Sequence, residues 1–120
     1  MQGLPNIRNQ LSSKDLFAAF KIQLTKDFEQ SNFPADFVGG LEPNYGSILE
    51  KISSELQRNE KRTGFTIMPL LYRIDISERQ LKKYLTEYES ENHFSVIAEL
   101  IIKRVLQKIV TKQYYKNNEK

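Results

Sequence analysis

Residues 92–116, NHFSVIAELIIKRVLQKIVTKQYYK, form the most periodic stretch of this chain, and their pattern changes halfway along. Stepped at 100° per residue as an α-helix, Phe94, Val96, Ile97, Ala98, Leu100, Ile101 and Ile102 point in almost every direction. Only a narrow polar strip around Glu99 and Lys103 is left, and a helix that is apolar all round has to be covered on most sides. Beyond residue 104 the apolar positions Val105, Leu106, Ile109, Val110 and Tyr114 narrow to one arc. Arg104, Lys108, Lys112 and Lys116 recur every fourth residue on the opposite side. The first half therefore reads as a core helix and the second as a surface helix. Glu99, four residues before Lys103, is placed for a helical ion pair.

The rest of the chain has to supply the cover. With 120 residues there is room for one domain, and a chain of this size buries roughly 65% of its unfolded surface. There is no cysteine, which excludes disulfides, thiolate metal sites and cysteine nucleophiles and suits a reducing compartment. The first ten residues lack the apolar core of a signal peptide, and the longest apolar run, residues 67–72, is too short for a bilayer. These features lead to the expectation of a cytoplasmic protein with no membrane partner. The net charge of +3 is unevenly spread: residues 103–120 hold six Lys and Arg against one acid, whereas residues 1–102 hold 12 against 14. A basic helix end can meet phosphate, anionic lipid or an acidic partner, although the helix dipole alone also favours cations there.

Four further helices are expected. Ser12 and Ser13 precede a stripe of Leu16, Phe17, Phe20, Leu24 and Phe28, with Ala18 and Ile22 widening it, which predicts a helix over 12–30. Residues 31–46, SNFPADFVGGLEPNYG, carry two prolines and three glycines but also Phe33, Phe37, Val38, Leu41 and Tyr45, so they should lie over one end of the core as an ordered cover. Gly39 and Gly40 are followed by Leu41 and Glu42 and do not form a phosphate-binding loop. Ser47 with Glu50 reads as a capping box opening a helix over 47–63, closed by a left-handed Gly64. Residues 65–76 fit either a helix beginning at Pro69 or a strand; no other segment offers a strand partner, so a helix over 66–75 is preferred. Ser77 with Gln80 then opens a helix over 77–89, with Leu81, Tyr84, Leu85 and Tyr88 inward and Arg79, Lys82 and Lys83 outward.

Chemical equipment is sparse. His93 is the sole histidine and cannot assemble a zinc site without further ligands; Glu87, Glu89 and Glu91 lack the spacing of a calcium loop. No catalytic, cofactor-binding or metal-binding residue is assigned, and no small-molecule substrate is inferred. Arg73 and Asp75 interrupt an apolar run and, with Glu99, are the candidates for buried charge; Arg73 is expected to pair with Glu99.

Residues 70–85, LLYRIDISERQLKKYL, resemble a helix-turn-helix: a helix ending at Ile74, a turn at Asp75 and Ile76, and a second helix entered at Ser77. That resemblance implies that Ser77, Arg79, Gln80, Lys82 and Lys83 face DNA. Two positions depart from the motif, Leu71 where it has a small residue and Asp75 where it has glycine. More broadly, LLYRIDISE followed by IAELIIKRVLQK resembles a group of small uncharacterised bacterial helical proteins over the C-terminal half, a resemblance that implies no activity.

The expectation is therefore an all-α single-domain bundle of about five helices around a long C-terminal helix over 92–115, with residues 1–11 and 116–120 as flexible tails. The function expected is a non-enzymatic interaction module with a protein partner, or a homodimer formed through surplus apolar surface on the last helix. The alternative is nucleic-acid binding by Arg79, Lys82 and Lys83, assisted by the stripe of Lys108, Lys112 and Lys116.

Overall fold

The computed structural model describes residues 11, 13–63 and 67–118. Among the described residues five α-helices follow one another: α1 (Lys14–Gln30), α2 (Tyr45–Thr63), α3 (Met68–Ile74), α4 (Glu78–Glu87) and α5 (His93–Asn118), with a short 3-10 turn at Asp36–Gly40. The chain is thus an all-α bundle, and residues 68–74 are helical rather than extended. Pro69 sits in the first turn of α3, where a missing N–H costs nothing.

α5 is the axis of the bundle. Val96, Ile97, Ala98, Leu100, Ile101, Ile102, Val105, Leu106 and Ile109 are all buried, although they leave the helix in every direction. α2 makes the most extensive contact with it, through Ile48, Ile52 and Leu56, and α1, α3 and α4 cover the remaining sides. Each fully buried leucine or isoleucine contributes about 1.5–3 kcal/mol relative to exposure. The surplus apolar surface expected on α5 is therefore consumed within one chain, from Val96 to Ile109. α1 contributes Phe20, Leu24 and Phe28, as its stripe predicts, but Ile22 is 71% exposed and does not widen the contact. Leu11, assigned above to a tail, is fully buried and belongs to the core.

The caps show how the helices are positioned. Ser13 accepts from the Leu16 N–H at the start of α1, and Ser77 accepts from the Gln80 N–H at the start of α4. α5 is capped by Asn92, whose Oδ1 accepts from the Phe94 and Ser95 N–H groups. Ser47 is not the cap of α2: Asn44 Oδ1 accepts from the Ser47 N–H, and the helix begins two residues earlier than expected. Gly64, expected to close α2, lies outside the described residues.

α1 and α3 end in the same Schellman turn. At the end of α1 the Asn32 N–H donates to Glu29 O and the Phe33 N–H to Phe28 O; at the end of α3 the Asp75 N–H donates to Tyr72 O and the Ile76 N–H to Leu71 O. The left-handed position is occupied by Asn32 (φ 63°) and Asp75 (φ 75°), not glycine. Each turn carries an apolar pair across it. Phe33 meets Phe28 edge to face at 5.7 Å, and Ile76 and Leu71 are both buried in the core. This explains why Leu71 is not small: it is the partner that the residue after the turn requires. Residues 31–41 are folded over the core by the first of these turns, with Phe33, Val38 and Leu41 buried and Phe37 meeting Phe28 at 5.3 Å.

A left-handed L-residue costs about 1–2 kcal/mol unless it is glycine, asparagine or aspartate. Asp75→Ala should accordingly be less stable than Asp75→Gly by about 1 kcal/mol in urea denaturation, since both lack the carboxylate and differ only in backbone freedom. Equal stabilities would show that the turn carries no conformational strain.

Candidate functional site

Ser77 fixes the phase of α4, and Leu81, Tyr84 and Leu85 set which side faces the core. Positions 79, 82, 83 and 86 then fall on the outer side by helical spacing. Arg79, Lys82, Lys83, Thr86 and Glu87 line an open concavity of about 620 Å³. None of the three cations is in an ion pair or hydrogen bond among the described residues. Tyr88, expected inward, is 41% exposed and stacks on Tyr84 at 5.9 Å. The Tyr84 phenol is pushed above its ordinary pKa chiefly by burial and further by Tyr88, Glu87 and Glu99. Tyr72, which donates to Glu78 Oε1 at 2.7 Å across the corner, is raised mainly by that hydrogen bond.

Lys108 and Lys112 of α5 are turned to α1 instead. Lys108 Nζ donates to Asp27 Oδ2 at 3.3 Å and Lys112 Nζ donates to Gln23 Oε1 at 3.1 Å. As one descends α1 from 27 to 23 one ascends α5 from 108 to 112, so the two helices are antiparallel and the lysines bind along their seam. The side chain of Lys116 lies outside the described residues.

The three candidates for buried charge are not buried. Arg73 is 40% exposed, and its Nε lies 3.5 Å from Asp27 Oδ1 rather than beside Glu99. Asp75 is 76% exposed, as its place in the turn requires, and takes Arg104 at 2.9 Å. Glu99 is half-buried; it pairs with Lys103 at 3.5 Å, as the spacing predicts, and accepts from Tyr45 Oη at 3.0 Å. The fully buried acid is instead Asp27. Its Oδ1 also accepts from Gln23 Nε2 at 3.1 Å, so one carboxylate gathers Gln23, Arg73 and Lys108 from three helices. A sequence signal for it exists: positions 23 and 27 fall within 60° of Phe20 on the helical wheel, so polar residues there border the core stripe.

A second polar group sits on α2. Glu55 and Asn59 are buried; Asn59 Nδ2 donates to Glu55 Oε2 at 3.2 Å, and Arg58 pairs with the other oxygen. Beside them run two neighbouring cavities of about 320 and 230 Å³, both walled by Phe37, Glu55 and Arg58. Among the described residues no three His, Asp or Glu side chains gather as a metal site, and no helix is long and apolar enough to cross a membrane. Comparison of the chain with protein-family models, curated proteins and solved structures gives no match.

Removing one member of a buried charged network leaves the others uncompensated, at a cost of about 3–5 kcal/mol. Asp27→Ala should lose stability on that scale in urea denaturation, while Glu99→Gln, at a half-exposed pair, should lose no more than about 1 kcal/mol. A loss below 1 kcal/mol for Asp27→Ala would mean that the carboxylate is not a structural centre.

Proposed function

We propose that this chain is a small non-enzymatic helical interaction module that docks an acidic segment of a protein partner on the outer face of α4. The observation that carries this reading is the contrast among its cations. Arg73, Lys103, Arg104 and Lys108 are engaged by acids within the fold, and Lys112 by Gln23. Arg79, Lys82 and Lys83 are grouped on one helix face without such a partner. A self-associating module would need apolar surface, and that of α5 is already covered from Val96 to Ile109. A partner of a different kind, recognised by charge, therefore fits better.

Display of random peptides against the protein should enrich acidic sequences. Neutralising the face by Arg79→Ala, Lys82→Ala and Lys83→Ala together should weaken the selected peptides at least about tenfold and flatten their salt dependence. Selection of peptides that bind both proteins equally would refute the assignment to α4.

A second reading is supported by one feature, the helix-turn-helix-like corner at 70–85, in which Asp75 adopts the left-handed conformation usually given to glycine. On that reading α4 presents Arg79, Lys82 and Lys83 to nucleic-acid phosphates, and retention in a filter-binding titration falls steeply with salt. Absence of retention at low salt eliminates it.

A further inference from the structure

The Asp27 cluster holds more positive charge than it neutralises. Arg73, Lys108 and Lys112 converge on one carboxylate and one amide, leaving a local excess of two positive charges at the seam of α1, α3 and α5. Arg73 lies beside Asp27 through Nε, and its two terminal nitrogens make no hydrogen bond among the described residues. Its side chain is 40% exposed. Gln23 is bonded through both ends of its amide, donating to Asp27 and accepting from Lys112, which fixes its orientation. A fully buried acid is a poor source of net stability. What it does here is hold an arginine by one edge and a lysine by its head, with an amide extending the frame to a second lysine.

We infer that Asp27 and Gln23 are positioning residues for a small oxyanion site, in which the outer fork of Arg73 and the ammonium groups of Lys108 and Lys112 bind a phosphate group. The planar guanidinium edge matches two oxygens of a phosphate, and the lysines act as point charges on the remainder. Two of the cations are held by one carboxylate and the third by the amide bonded to it, an arrangement suited to a phosphate carried by a small molecule rather than to an extended backbone. The site is distinct from the outer face of α4, and neither depends on the other.

Inorganic phosphate is the probe, followed by amide and arginine side-chain NMR shifts at constant ionic strength against chloride. Saturable shifts centred on Arg73 and Lys112 are expected. Lys112→Ala, an exposed position, and Arg73→Lys, which keeps the charge but loses the fork, should each weaken binding about tenfold, the loss of one charge-assisted hydrogen bond. Gln23→Ala changes no charge, so weaker phosphate binding in that variant reports positioning rather than Coulomb attraction. Arg79→Ala with Lys82→Ala and Lys83→Ala should leave phosphate binding intact, which separates this site from the α4 face. Equal effects of phosphate and chloride, or unchanged affinity in Arg73→Lys and Lys112→Ala, overturn the inference. So does an oligonucleotide that binds through Arg73 and Lys112 when inorganic phosphate does not, since it would make these residues backbone contacts.

Discussion

A helix that is apolar around its whole circumference cannot be stable with any side in water, and this constraint on α5 organises everything else. Four helices pack against it, and the folded-over loop closes on α1 at Phe28. α2 supplies the longest contact with Ile48, Ile52 and Leu56, and α1 supplies three large side chains on one face. α3 and α4 are short and pack on α5 less extensively. Core packing of this kind is dense and leaves little room for a cavity at the centre. The chemistry is accordingly displaced to the seams, where helices meet with polar edges.

Two such seams carry polar networks of different character. Between α1, α3 and α5 a buried carboxylate holds cations from two other helices, so the network crosses the bundle. On α2, Glu55, Arg58 and Asn59 are neighbours on one helix, and their bonds are local. The first resists relative movement of three elements; the second shapes the edge of a groove against residues 34–37. The outer face of α4 differs from both, since its cations are left to solvent. The molecule thus has cations engaged by partners along the seam of α1, α3 and α5, and cations without such partners on α4.

Much of this arrangement was legible in the residues. The all-round apolar run gave α5, the serine at 77 gave the start of α4, and the Glu99 and Lys103 spacing gave their ion pair. Helix starts failed where two capping patterns compete: Asn44 caps α2, although Ser47 with Glu50 offers the more familiar signature. The basic stripe on α5 looked like a solvated face because the sequence does not say where α1 lies. Once α1 is antiparallel to α5, Lys108 and Lys112 border the seam and bond to Asp27 and Gln23 across it, Lys108 half-buried and Lys112 exposed. Asp27 was missed for the same reason. Its place on the wheel and its bond to Gln23 four residues away are local, but its charged partners are 46 and 81 residues away, and no local pattern encodes a contact at that distance.

The antiparallel pairing of α1 and α5 has a consequence for how the bundle is made. Until residue 112 has been synthesised there is nothing for Gln23 and Asp27 to close against, and α1 to α4 have no common axis on which to assemble. The nascent chain emerges with Phe20, Leu24 and Phe28 lacking their final partner, so the bundle cannot close until α5 has been made.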